Sequence, residues 1–201
     1  MRGKSGIGLF NALKKIDSTV KDEHQFEWLF VPKSFERTDI ENKIINALWE
    51  DCKNRSESKF IGKICDFTDI YYYDDKIKGV AKRLETDFYL PKFNLIIELD
   101  ELQHFTFERK ITLDLYGEDN YRFDLSKWKM LCDKLNKKDS DPLTRDWKRA
   151  FRDSIRDLRA RDNNVPLLRL YIEDFNNKSF ESGETYNKLE ELILWAVKNK
   201  C

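Results

Sequence analysis

Four residues that could do hydrolytic chemistry, Asp87, Glu98, Asp100 and His104, fall within one short run, TDFYLPKFNLIIELDELQHF, at positions 86–105. Apolar, β-rich segments at Asp87–Leu90 and Leu95–Asp100 flank Pro91-Lys92-Phe93-Asn94, in which Pro and Asn are turn residues. A hairpin with this four-residue loop pairs Leu90 with Leu95 and sets Asp87 opposite Glu98. Side chains alternate along a strand, so Glu98 and Asp100 share one face while Ile97 and Leu99 take the other. Like charges directly opposed on a ladder repel, so three carboxylates converging at the end of an apolar hairpin call for a counter-charge. A hard divalent cation such as Mg²⁺, which takes oxygen ligands, would supply it. The plainer alternative is that the acids mark where the strands run out into solvent. His104 follows at once, in a chain with only 2 histidines; its plainer role is that of a surface or structural imidazole.

Several elements must position these residues. Thr38-Asp39-Ile40-Glu41 fits a capping box, and Ile40, Ile44, Ile45, Leu48, Trp49 and Cys52 follow at helical spacing. Glu41 can therefore cap its own helix, or reach the hairpin's acids if the first turn faces them. A second helix is expected from about Thr144 to Arg161, with Trp147, Phe151, Ile155 and Leu158 as its buried stripe. Its remaining positions are rich in Arg145, Lys148, Arg149, Arg152, Arg156, Arg159 and Arg161, set against Asp146, Asp153 and Asp157. These charges suit either i,i+4 pairing on a solvated face or contact with phosphates. Asn163-Asn164 closes that helix, and Val165–Ile172 reads as a buried strand with Pro166 confined to its start.

Elsewhere, Phe10, Leu13 and Ile16 suggest a short amphipathic helix packed on the core, and 26–31 a strand or buried turn. Residues 53–59 read as a loop, Phe60–Ile64 and Phe67–Tyr73 as strand-like, and Asp74-Asp75 as a turn before Lys76–Leu84. The Tyr71-Tyr72-Tyr73 run suits packing better than base stacking. Residues 106–143 read as a charged, irregular insertion holding one helix around Leu125–Leu135, and a last helix covers about 184–198. Helix, strands, helix, strand, helix makes a mixed α/β domain.

At 201 residues, with 14 Phe, 8 Tyr and 5 Trp, the chain reads as one domain with a real core, the essential part at about 38–172. Basic and acidic residues balance at 37 each, so any attraction for nucleic acid must be local. Cys52, Cys65, Cys132 and Cys201 lack zinc-site spacing and read as reduced thiols of a cytoplasmic protein. No apolar run approaches the ~20 residues that span a bilayer, so no membrane role is expected.

The Glu41 helix, the Asp-Phe-Tyr-Leu-Pro strand (87–91), the Ile-Glu-Leu-Asp…Gln-His run (97–104) and RDSIRDLRARDNNVPLLRL (152–170) together resemble the PD-(D/E)XK, or restriction-endonuclease-like, superfamily. Within it they are most similar to the very-short-patch-repair-like nucleases and their phage homing-endonuclease relatives. The resemblance covers roughly 38–52, 84–105 and 145–172. It implies a restriction-endonuclease-like core, a short mixed β-sheet flanked by helices, and a metal-dependent DNA endonuclease. Asp87 and Glu98 would hold Mg²⁺ (Mn²⁺ as an alternative), with Glu41 a further ligand or a ligand to metal-bound water. Asp100 stands where the wider superfamily has a lysine, although the nearer branch also carries an acid there. His104 matches a histidine proposed to act as general base or to position the nucleophilic water, and Asp153 and Arg156 match an acidic and basic pair on the following helix. Glu101-Leu102 replaces the glycine and acid of many relatives, so the local turn is expected to differ. Double-strand cutting usually needs two active sites, which a homodimer would supply. Two other readings stay open: a non-cleaving nucleic-acid-binding or assembly module, and an RNA-directed nuclease.

Overall fold

The structure is a computed structural model describing residues 4–56, 83–117, 121–138, 144–175, 180 and 183–198. The strand-like pieces expected at 60–64 and 67–73, the turn at 74–75 and the tyrosine run lie outside the described residues.

Among the described residues four strands form one mixed sheet in the order β1 (Lys21–Phe30), β2 (Arg83–Leu90), β3 (Leu95–Asp100), β4 (Leu167–Tyr171). The first two pairings are antiparallel and β3–β4 is parallel. The hairpin closes as its sequence predicts. Leu90 pairs with Leu95, and Asn94 takes a left-handed conformation (φ 47°) after a 3₁₀ turn at Pro91–Phe93. Strand β1 is longer than its apolar cluster suggests, because its outer residues need only pair with β2.

Alternation along β2 sorts the two faces of the sheet. Leu84, Thr86, Phe88 and Leu90 are buried on one side, and Asp87 and Tyr89 turn to the other. Helix α1 (Lys4–Ile16) lies against the first face, where Phe10 stacks on Phe88 with ring centroids 6.3 Å apart. Leu9, Ala12 and Leu13 are fully buried, so the N-terminal amphipathic stretch is a core element. The C-terminal helix α6 (Gly183–Lys198) adds Leu189, Ile193 and Ala196 to the same core.

The opposite face carries Asp87, Ile96, Glu98 and Asp100, and helix α5 (Arg145–Asp162) covers it. Ala160 packs there with Ile96, Val165 and Leu167. Asn164, at φ 55°, makes the left-handed turn that sends the chain from α5 into β4. Helix α2 (Asp39–Ser56) begins at the expected capping box: the Thr38 N–H donates to Glu41 Oε2 at 2.8 Å, and the Glu41 N–H to Thr38 Oγ1 at 3.4 Å. The helix continues to Ser56, through the first part of the segment expected as a loop.

Within the segment 106–143 the described residues form two helices where one is legible. The expected α4 (Leu125–Leu135) is present, with Trp128, Leu131 and Cys132 buried. Helix α3 (Phe107–Asp114) precedes it, and its buried residues are Glu108, Arg109, Thr112 and Leu113. No apolar stripe announces such a helix, because its inner face is mostly polar. Its start is set by Thr106, whose hydroxyl accepts from the Arg109 N–H at 3.1 Å. Thr106→Ala is expected to lower stability by about 1 kcal/mol, the usual worth of an N-cap, as a fall in the urea midpoint without a change in slope.

No helix among the described residues is long and apolar enough to cross a membrane. Cys52 and Cys132 are buried free thiols, as the absence of cysteine pairing motifs suggests.

Candidate active site

Where the β2–β3 ladder ends, the two acids take over the hydrogen bonding. The Leu99 N–H donates to Asp87 Oδ2 at 2.8 Å, and the Asp87 N–H donates to Glu98 Oε1 at 3.2 Å. Each carboxylate thus caps the other strand's backbone, which holds the pair side by side although they repel. Glu98 is 4% exposed. Burial, reinforced by the charge of Asp87, pushes its carboxyl from an ordinary 4.5 up to about 8. Burial also raises Asp87, against the lowering effects of the Leu99 N–H and Arg156.

The pair opens into a cleft of about 240 Å³, lined by Gly6, Asp87, Glu98, Gln103, His104, Asp153 and Arg156 among others. A 3₁₀ turn at Leu102–His104 brings the imidazole round to it. His104 Nδ1 sits 3.1 Å from Asp153 Oδ2 and 3.4 Å from Asp100 Oδ1. Burial disfavours the imidazolium, but the Asp153 charge, its hydrogen bond and the Asp100 charge outweigh that and raise the histidine pKa. Asp153 is held in turn well below the usual carboxylate range: burial opposes this, and His104, Arg169 and Arg156 overcome it. Arg149 braces the same turn by donating to the Gln103 carbonyl at 2.9 Å.

Arg156 closes the cleft's far wall. Its Nε donates to the Glu85 carbonyl at 2.9 Å and lies 3.7 Å from Glu98 Oε2, while Nη1 donates to Asp153 Oδ1 at 3.1 Å. It is the arginine of α5 that faces both the carboxylate pair and the acid behind His104.

Two expected site residues point elsewhere. Glu41 is buried and does not line the cleft. Its oxygens take the Thr38 N–H and the guanidinium of Arg159, whose Nε donates to Oε1 at 2.8 Å. Asp100 shares the Glu98 face but turns inward, with Oδ1 accepting from Arg169 Nη1 and Oδ2 from Trp128 Nε1, both at 2.7 Å.

The arginines of α5 form no solvated stripe either. Of the six basic residues expected to meet phosphate, only Arg145 is exposed; Lys148, Arg149, Arg152, Arg156 and Arg159 are half-buried. The reason is that α5 is covered on several sides, by the sheet, by α2 and by α3, so its charges pair internally.

Sequence reasoning did not single out Arg109, Arg169, Tyr116 or Trp128 as part of the site. Arg169 is fully buried on β4, in register with Glu98. Arg109 reaches Asp157 at 2.5 Å, and Tyr116 donates to the same oxygen at 2.7 Å. An arginine inside the apolar run VPLLRLYI was the available signal, since a lone charge in a buried strand demands partners.

Around and behind the cleft, the carboxylates of Asp87, Glu98, Asp100, Asp153 and Asp157 meet the guanidinium groups of Arg109, Arg156 and Arg169. With Glu98 protonated, as a pKa of about 8 directs at neutral pH, and the other four acids ionised, four carboxylates meet three guanidinium groups and a charged His104 completes the balance; ionising Glu98 leaves the cluster one positive charge short. Among the described residues no group of three or more His, Cys, Asp or Glu forms a ready-made metal cluster. Mg²⁺ does not require one. It commonly binds through one or two carboxylates, waters and substrate phosphates, and the Asp87–Glu98 pair fits that donor set.

Comparison of the chain with family models, with curated proteins and with solved structures gives no match.

Proposed function

We propose that the cleft is the active site of a Mg²⁺-dependent nuclease that hydrolyses phosphodiester bonds, with DNA as its substrate, on a restriction-endonuclease-like core. The observation that carries this reading is the side-by-side pair of half-buried Asp87 and buried Glu98 beside a histidine, in a cluster that ionisation of Glu98 leaves short of positive charge. Each acid takes a backbone N–H of the other strand, a task that an uncharged acceptor could also perform; a bound divalent cation would give two carboxylates at the mouth of a cleft a reason to be acids.

Asp87 and Glu98 would hold Mg²⁺, which supplies positive charge against the phosphoryl oxygens and acidifies an attacking water. His104 lines the cleft and turns Nδ1 to Asp153 and Asp100, so that Nε2 would be the nitrogen left to meet a water there. From there it can accept a proton from water when neutral and return one when charged. Arg156, at the cleft wall, faces the phosphate oxygens as charge develops on them. Arg145, exposed at the start of α5, and half-buried Lys148 would be further phosphate contacts for a substrate that runs past the cleft. Glu41 acts through Arg159, holding α2 against α5.

A non-cleaving nucleic-acid-binding module is the second reading, and the enclosure of Glu41 and Asp100 by internal partners favours it. Supercoiled plasmid incubated with protein and Mg²⁺ or Mn²⁺ separates the two. Wild type is expected to nick or linearise it, and Asp87→Ala to lose at least about 100-fold in rate. Cutting that persists in the variant would remove the site assignment, and no cutting with either metal would favour the binding module. Parallel digestion of single- and double-stranded DNA and RNA would identify the substrate.

A further inference from the structure

Behind His104 lies a second layer of charge that the proposed reaction does not touch. Arg169 is its centre. The guanidinium is fully buried, and three of its groups are spoken for: Nη1 donates to Asp100 Oδ1 at 2.7 Å, Nη2 to the Asp153 carbonyl at 3.2 Å, and Nε to Asp157 Oδ1 at 2.8 Å. Asp100 and Asp153 are the two residues whose carboxylates face His104 Nδ1. A single side chain therefore grips both partners of the imidazole, one by its carboxylate and the other by its backbone.

The far side of that grip is equally fixed. Asp157 accepts from Arg109 Nη2 at 2.5 Å and from the Tyr116 hydroxyl at 2.7 Å. Arg109 Nη1 also reaches Thr112 Oγ1 and Ser154 Oγ, each at 3.1 Å. The network thus runs from α3 and α5 through β4 to the turn that carries His104. A guanidinium is suited to this task because its planar fork fixes several acceptors in one geometry, which a lysine ammonium cannot.

We propose that Arg169 is a positioning residue, which sets the orientation of His104 by holding Asp100 and Asp153 in place from the neighbouring strand. Trp128 Nε1, which holds only the other oxygen of Asp100, contributes to packing and not to this orientation. The catalytic consequence rests on the nuclease reading; the structural one does not.

Arg169→Lys tests it, since it keeps the charge and loses the fork. The neutral imidazole can be read directly by long-range ¹H–¹⁵N correlation, because the chain has only 2 histidines and His24→Gln assigns the other. In wild type, above the pH at which the ring titrates, a single form with the proton on Nδ1 is expected, donating to Asp153. In folded Arg169→Lys the Nε2–H form is expected to appear beside it. With plasmid and Mg²⁺, kcat is expected to fall about 100-fold while KM stays within about twofold, because the proton acceptor is misplaced and substrate contacts are intact. Trp128→Phe is expected to keep the single Nδ1–H form despite lower stability. A single tautomer in Arg169→Lys, or an unchanged kcat beside a mixed one, overturns the proposal. A mixture in Trp128→Phe overturns it too, and carries the test alone if Arg169→Lys does not fold. Failure of wild type to cut removes the nuclease reading and leaves the tautomer measurement to decide the positioning role.

Discussion

Glu98→Gln is expected to stabilise the fold at pH 8 while abolishing metal-dependent cutting. The Gln side chain keeps the acceptor that takes the Asp87 N–H and removes a carboxylate that burial and Asp87 disfavour. The direction with pH follows from linkage. In the folded protein Glu98 holds its proton up to about pH 8, whereas the unfolded chain releases it near the ordinary 4.5. Over that interval the native state binds more protons than the unfolded state, so wild-type stability falls as pH rises. Below the ordinary carboxylate value both states are protonated and the penalty disappears. Well above pH 8 it is fully present, on the order of 5 kcal/mol. Urea unfolding of wild type and Glu98→Gln at pH 5 and pH 8.5 is the measurement. The variant is expected to gain several kcal/mol over wild type at the higher pH and little at the lower. Mg²⁺ is expected to raise the wild-type midpoint at pH 8.5, where both acids can ionise, and to leave that of the variant almost unchanged. Equal midpoints for the two proteins at pH 8.5 would mean that Glu98 is solvated and that the crowding of charge is not real. An activity site that costs stability is the expected pattern where repelling groups are held together for function.

Arg109→Met is expected to be the most destabilising single change in the network. Arg109 is 2% exposed, and its removal takes from buried Asp157 its closest cationic partner. Breaking a buried ion pair from one side costs about 3–5 kcal/mol, because the remaining charge stays desolvated without full compensation. Against a total of about 5–15 kcal/mol for a domain, that is a large share. The double variant Arg109→Met/Asp157→Asn is expected to recover part of the loss, since it removes the stranded charge; Arg169 would then keep Asp100 and the Asp153 carbonyl as partners. A loss below about 1 kcal/mol for the single variant would mean that water reaches Asp157.

The two halves of the site differ in how legible they are. Asp87 and Glu98 could be placed together from sequence because a hairpin is a local object. Pro91 and Asn94 fix the loop, the loop fixes the register, and the register sets the two acids side by side. Helices α2, α4, α5 and α6 were legible for a related reason: each repeats apolar residues at a helical period over at least two turns. Helix α3 was not, since its buried face holds Glu108, Arg109 and Thr112 with Leu113 as its one apolar member. A periodicity argument assumes that what is buried is apolar, and here it is ionic.

Composition and spacing by themselves determined the α/β class, the hairpin register and the adjacency of Asp87 and Glu98, because each depends on neighbours along the chain. The tertiary structure alone decided that Asp153 meets His104, that Glu41 turns to Arg159, and that Asp100 is claimed by Arg169. Those pairings join residues far apart in the chain, and every carboxylate in the chain could have served any guanidinium equally well. Which pairs form depends on how α5 lies across the sheet, and that is set by the fit of Ala160, Ile155 and Phe151 into the core. Charge reads as a list in the sequence; packing turns it into partners.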